Sequence, residues 1–149
     1  MAHGLPFPML IDLAQREVDA AASALGAQQS RLDAMRQQGD GLNSYRAEYA
    51  GRMRAEASQG MTMASLRNYH QFLANLDDVQ IRHRGDVAAQ ERLVETAMRT
   101  LQAKQLKLNS YQALAERASR AAAARQARVE QRQTDEFAAR RARDRQAAE

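Results

Sequence analysis

The chain has 149 residues and 44% of them are hydrophobic, but 31 of these are alanine and just 24 are Leu, Ile, Val or Phe. So little bulky apolar material argues against a globular enzyme core with a buried pocket, whereas a chain rich in Ala, Glu, Leu and Arg is typical of long helices. The net charge of +4 is too small to force the chain into disorder.

The chain contains no cysteine, which excludes a disulfide framework and a thiolate metal site. No apolar stretch approaches the ~20 residues that span a bilayer. The N-terminus lacks a basic segment and two prolines interrupt its short apolar run, so it does not resemble a secretory signal. We therefore expect a cytoplasmic protein.

Apolar periodicity begins after the two prolines, Pro6 and Pro8, beyond which nothing forbids helix. We expect residues 1–8 to be disordered and a first helix to cover residues 9–57. Along it, apolar side chains recur every seven residues with a companion row three positions further on, the pattern of a coiled coil. The seam residues predicted in this helix are Ile11, Val18, Leu25, Leu32 and Met35.

A turn is predicted over residues 58–64, because Gly60 breaks the helix and Thr62 or Ser65 can cap the next one. A chain that doubles back here pairs its helices antiparallel. This register places Ala14 opposite Leu108, with a large side chain filling the space beside a small one.

The second helix is predicted over residues 65–138, followed by a disordered basic tail over residues 139–149. Polar residues in its seam disfavour a parallel dimer of this helix. The predicted fold is therefore one all-α domain, an antiparallel two-helix coiled-coil hairpin whose second helix is the longer. The seam residues predicted in the second helix are Leu73, Val87, Val94, Leu101 and Leu108.

Near the turn, aromatic and apolar side chains widen the seam on one flank, and the register places Tyr49 beside Phe72. These residues either thicken the seam or form an exposed binding surface, since clustered Tyr and Phe dominate many interfaces. The residues alone leave both interpretations open. This tip surface comprises Gln38, Leu42, Tyr45, Tyr49, Phe72, Leu76, Val79 and His83.

No motif of the chain indicates catalysis. The three histidines lack the spacing of metal ligands, and there is no glycine-rich phosphate loop or nucleophile constellation. We therefore expect no catalytic residue, no cofactor and no metal. The acidic pair Asp77 and Asp78 is interpreted as solvated surface charge.

The C-terminal residues 112–149 carry nine arginines against six acidic residues. A nucleic-acid-binding coiled coil is one hypothesis, but a helix that binds a duplex usually has a denser basic stripe. A helix that docks into an acidic protein channel suits the same charges equally well.

Four segments resemble the FliJ family of flagellar type III export proteins. Together they extend over essentially the whole chain, in the family's order. They are Asp12-Leu13-Ala14-Gln15-Arg16-Glu17-Val18-Asp19 with Leu25-Gly26, then Tyr45-Arg46-Ala47-Glu48-Tyr49, then Asn68-Tyr69-His70-Gln71-Phe72-Leu73 with Leu76, and finally Asp135-Glu136-Phe137-Ala138.

The resemblance implies a non-enzymatic stalk of flagellum biogenesis and motility, similar to the central stalk of rotary ATPases. It implies binding in the pore of the hexameric export ATPase FliI and to the cytoplasmic domain of the export gate FlhA, with the tip surface as the gate-binding face. It also implies escort of export chaperones, and the ATPase regulator FliH is a further expected partner. The expected location is the cytoplasmic side of the inner-membrane export apparatus. An equivalent stalk of an injectisome is the alternative.

Overall fold

Two helices make up nearly all of the computed structural model, which describes residues 6–149. Helix α1 spans Phe7–Gln59 and helix α2 spans Met63–Ala147. The two helices pack against each other, and the described residues include no strand. The predicted all-α hairpin is confirmed.

Helix α1 begins two residues before its predicted start. The carbonyl of Pro6 accepts a hydrogen bond from the backbone N–H of Leu10 at 3.1 Å, which closes the first turn. Pro8 fits inside that turn because the first N–H groups of a helix have no intrahelical acceptor. Phe7 and Pro8, for which disorder was predicted, are therefore helical in this structure, and residues 1–5 of that prediction lie outside the described residues.

The connection between the helices is three residues long, shorter than the predicted turn over residues 58–64. Gly60 adopts a positive φ of 97°, a conformation that residues with a β-carbon rarely take. Its N–H donates to the carbonyl of Ala57 at 3.3 Å, as at many helix C-termini. The predicted break at Gly60 is present.

Thr62 caps helix α2, as the sequence allowed. Its hydroxyl oxygen accepts the backbone N–H of Ser65 at 3.2 Å, and its carbonyl accepts the N–H of Leu66 at 3.0 Å. One N–H that would lack an intrahelical acceptor is thereby satisfied, and the helix starts at Met63 rather than at residue 65.

The C-terminal end of helix α2 differs from its prediction. The helix continues to Ala147, through residues 139–147 that were expected to be disordered. Alanine and arginine have high helix propensity, and no glycine or proline follows Gly85 to interrupt the chain. Arg145 in the last turn also interacts favourably with the helix dipole.

The chain divides into two compact units. One spans Glu17–Lys104, and the other comprises Met1–Arg16 and Gln105–Glu149. In the second unit Ala14 and Leu108 are buried. Beyond residue 115, every side chain of α2 is exposed.

The core of the Glu17–Lys104 unit lies along the seam between its two helical segments. The predicted seam residues Leu25, Met35, Val87, Val94 and Leu101 are half-buried. The buried apolar side chains of this unit are Val18, Ala21, Leu32, Leu73 and Leu76.

Two buried glutamines donate hydrogen bonds across the seam. Gln90 is 3% exposed, and its Nε2 donates to the side-chain oxygen of Gln28 at 2.7 Å and to the Gln28 carbonyl at 3.0 Å. Gln80 donates to the Oδ1 of Asn43 at 2.6 Å. A buried amide is costly unless it is paired, so these two layers disfavour registers that would separate the partners.

Ion pairs give the same direction and register within this unit. Lys104 approaches Glu17 at 3.4 Å and Arg36 approaches Glu91 at 3.2 Å. As the residue number rises along α1, the number of its partner falls along α2, which is the signature of antiparallel packing. From one end of the unit to the other, the ion pairs are Glu17–Lys104, Arg36–Glu91 and Arg46–Asp77.

Candidate partner-binding surface near the turn

Four aromatic rings pack together next to the turn. The ring centroids of Tyr49 and Phe72 are 4.2 Å apart, so the predicted contact between them is present. Tyr45 meets Phe72 edge-on at 6.1 Å, and Tyr69 lies 5.0 Å from Tyr49. Such pairs contribute about 0.5–1.5 kcal/mol each beyond burial alone, so the cluster holds both helices in a fixed arrangement.

Part of this cluster faces outwards. Tyr45 is 44% exposed and Val79 is 43% exposed, whereas Tyr49 and Phe72 are half-buried beside them. Tyr45 is thus presented against packed rings, and Val79 is exposed one heptad beyond Phe72 on α2. Preorganised apolar groups of this kind lose little conformational entropy when a partner covers them.

Not every residue predicted for the tip surface lies on it. Leu76 is 8% exposed, so it lies beneath the surface as part of the core. Leu42 is half-buried and Gln38 is exposed. The heptad pattern places Leu76 at a seam position that also borders the widened face, and in the structure the side chain is buried in the seam.

His83 turns into the seam. Its Nε2 lies 2.6 Å from the carbonyl oxygen of Met35, and because a carbonyl can only accept, this nitrogen must carry the proton. A β-carbon on Gly39 would stand 3.1 Å from the His83 ring, so the ring fills the space that this glycine leaves. His83 therefore acts here as a polar seam residue, whereas Gln38, also predicted for the tip surface, is exposed on α1.

The hydroxyl of Tyr69 is held at the edge of the cluster. Its hydrogen bond to the Glu56 carboxylate, together with partial burial, raises the pKa of Tyr69 above its usual value. The neutral phenol is therefore the stable form at the base of the surface.

Arg46 and Asp77 bridge the helices next to the aromatic cluster. The Nε of Arg46 lies 2.6 Å from Oδ1 of Asp77 and a second guanidinium nitrogen lies 3.3 Å from Oδ2. This hydrogen-bonded pair, with a smaller contribution from the charge of Arg84, holds the pKa of the Asp77 carboxyl below its usual range. The interpretation of Asp77 as solvated charge is incomplete, because its side chain is 47% exposed but its carboxylate also forms a bidentate pair with Arg46.

Sequence reasoning missed the partners of the polar seam residues. Arg46 occupies a seam position where an apolar residue would fit. A charged residue at such a position indicates an acidic partner on the other helix. Finding Asp77 rather than Asp78 required the register, because neighbouring residues point to different sides of a helix.

Within residues 6–149, no group of three or more His, Cys, Asp and Glu side chains is arranged to hold a metal ion. The same part of the chain includes no helix long and apolar enough to cross a membrane. What this region offers is a structured, partly apolar contact surface.

Comparison with known proteins identifies the family. Residues 3–147 match the family described as Flagellar FliJ protein. The chain is 33% identical over 140 residues to the flagellar FliJ protein of Escherichia coli (strain K12), which covers 94% of this chain and 95% of that relative. It is 31% identical over 140 residues to the flagellar FliJ protein of Salmonella typhi, with the same shares of both chains. The chain therefore belongs to the FliJ family, whose members are components of the flagellar export apparatus.

Proposed function

We propose that this protein is a non-enzymatic stalk of the flagellar export apparatus that binds the export gate FlhA through its tip surface and the export ATPase FliI through helix α2. The observation that carries the proposal is the exposure of Tyr45 on a packed aromatic base, with Val79 exposed one heptad beyond Phe72. Membership of the FliJ family supports the general role, and the two named contacts are our inference.

The gate contact rests on the chemistry of the exposed side chains. A tyrosine and a valine that remain more than two-fifths exposed on a structured surface are typical anchors of a protein interface. Tyrosine in particular combines a large apolar ring with a hydroxyl that can donate or accept a hydrogen bond. The tip surface is thus suited to a partner with an apolar pocket and a polar rim.

The ATPase contact rests on the C-terminal part of α2. Residues 116–147 are helical and all of their side chains are exposed, including Phe137 at 63% and Val129 at 45%. A single helix without a packing partner is marginal in water. Its arginines suit an acidic channel such as the pore of an ATPase ring, and contacts with FliH and with export chaperones belong to the same proposal.

The flagellar role is favoured over the injectisome alternative because both of the relatives described above are flagellar proteins. Binding to nucleic acid is not favoured, because acidic residues interrupt the arginines in residues 112–149.

The gate contact can be tested by titrating the purified cytoplasmic domain of FlhA against this protein in a calorimeter. Tyr45→Ala and Val79→Ser should each weaken binding by roughly tenfold, the usual effect of removing an interface anchor. Ile81→Ser is the matched control, because Ile81 is 64% exposed two residues from Val79 and points to another side of the helix.

The control should bind as the wild type does, and circular dichroism should show unchanged helicity for all three variants. Loss of binding that tracks a loss of helicity would show that the aromatic cluster is purely structural. Equal affinity of all variants would contradict the proposed gate contact.

A further inference from the structure

The flank that carries Tyr45 and Val79 continues away from the turn. Phe72, Val79, Asp86 and Leu93 follow one another at intervals of seven residues on α2, so their side chains share one side of that helix. Leu93 is 50% exposed although it is a large apolar residue. Exposed apolar side chains on this side of α2 are therefore Val79 and, two heptads further along, Leu93, with the acidic Asp86 between them.

An open hollow of about 370 Å³ lies beside Leu93 on this flank. Met35 of α1 is half-buried in its wall, so the hollow has apolar material on both helices. Arg31 lines it from α1 and Asp86 lines it from α2, and neither side chain belongs to an ion pair within residues 6–149. The hollow thus combines an apolar floor with one available charge of each sign.

We propose that a single amphipathic helix of the gate's cytoplasmic domain lies along this flank as a third helix, from the tip surface to the hollow at Leu93. This inference rests on the proposed gate contact and extends it to residues outside the tip surface. The distance along α2 from Phe72 to Leu93 is about 30 Å, which requires roughly 20 residues of partner helix.

A helix fits this flank better than an extended strand. Val79 and Leu93 are exposed two heptads apart on one side of α2, and a helix whose own apolar residues recur every three or four positions can interdigitate with them. Neither helix here presents the row of free backbone groups that an added strand would need.

The charges of the hollow restrict the partner further. Arg31 favours an acidic residue on the partner edge that faces α1, and Asp86 favours a basic residue on the edge that faces α2. A helix with the opposite arrangement would place like charges together, so these two residues select the orientation about the helix axis.

The test uses the same cytoplasmic domain of FlhA as the probe, with full-length variants of this protein. Leu93→Ser should weaken binding by roughly tenfold. Met98→Ser is the control, because Met98 is 42% exposed on the same helix but faces the other flank. It lies seven residues after Glu91, which pairs with Arg36 on that other flank. The control should change affinity by less than about twofold.

A second variant tests the charges without altering net charge. Arg31→Asp combined with Asp86→Arg exchanges the two signs across the hollow and should weaken binding several-fold, and more at low salt than at high salt. Thermal unfolding followed by circular dichroism checks that both variants fold.

Three outcomes distinguish the proposed third helix from the proposed gate contact. Weaker binding by Leu93→Ser and by the charge exchange, with an unchanged control, supports the third helix. If Tyr45→Ala weakens binding but Leu93→Ser does not, the third helix is wrong and the gate contact stands. If the wild-type protein does not bind the domain at all, both are wrong.

Discussion

Gly39 and His83 fit together across the seam, with the glycine leaving the space that the imidazole ring occupies. A β-carbon at position 39 would lie 3.1 Å from both Cδ2 and Nε2 of the ring. The ring cannot retreat freely, because Nε2 donates to the Met35 carbonyl at 2.6 Å. A glycine inside a helix, normally unfavourable, is here a packing requirement.

This relationship predicts opposite effects for two neighbouring glycines. Gly41→Ala should raise the free energy of unfolding by about 0.5–1 kcal/mol, because helix propensity improves and nothing lies within 4 Å of the new β-carbon. Gly39→Ala should bring no gain or a loss, since the ring must move off its carbonyl acceptor. Urea unfolding measures both.

A double-mutant cycle isolates the cause. In a His83→Ala background the space at position 39 is open, so Gly39→Ala should then stabilise the protein as Gly41→Ala does. If Gly39→Ala stabilises the wild-type protein to the same extent, the ring and the glycine do not constrain each other.

The pairing of Arg46 with Asp77 predicts a particular dependence of stability on pH. Because the folded-state pKa of Asp77 is lower than its unfolded value of about 3.9, the pair contributes fully above that value. The contribution is lost as the pH falls through the folded-state pKa. Asp77→Asn should therefore flatten the fall in stability below about pH 4.

Asp78→Asn serves as the matched control, because Asp78 is exposed and is the adjacent carboxylate. Denaturant midpoints collected at several pH values should show a smaller acid-induced decrease for Asp77→Asn than for Asp78→Asn. Identical profiles would mean that the ion pair between Arg46 and the Asp77 carboxylate does not form in solution.

The Gln28–Gln90 layer is predicted to specify the pairing of the helices. Gln90→Ala should lower the free energy of unfolding by about 1–2 kcal/mol, because it leaves the buried side-chain oxygen of Gln28 without its donor. Replacing both glutamines by leucine should instead raise thermal stability while admitting other helix pairings.

Light scattering after size-exclusion chromatography measures that loss of specificity. The doubly substituted protein should contain a larger share of dimers or higher oligomers than the wild type at equal concentration. An unchanged distribution would mean that the apolar seam alone specifies the pairing.

The sequence predicted the elements that depend on local or periodic signals. Heptad spacing and the glycine at position 60 were sufficient for two helices, their direction and the contact between Tyr49 and Phe72. The helix ends were less predictable, because alanine and arginine carry the helix to Ala147 without any apolar periodicity.

The orientation of individual side chains was not accessible in the same way. Leu76 and His83 occupy positions that could face either the seam or the flank, and packing against α1 turns both inwards. The partner of Arg46 likewise depends on the register to within one residue, which spacing alone does not provide.

The central claim is that the chain doubles back at Gly60 in the register that creates the tip surface and its flank. Ala20→Cys and Ala103→Cys, both at exposed positions near the Glu17–Lys104 contact, allow specific spin labelling because the chain has no other cysteine. Electron paramagnetic resonance on labelled protein diluted with unlabelled protein should give one distance of about 20–30 Å, because packed helix axes lie ~8–10 Å apart. A lack of any distance below about 60 Å would contradict the account, since on one unbroken helix the two positions would be about 125 Å apart.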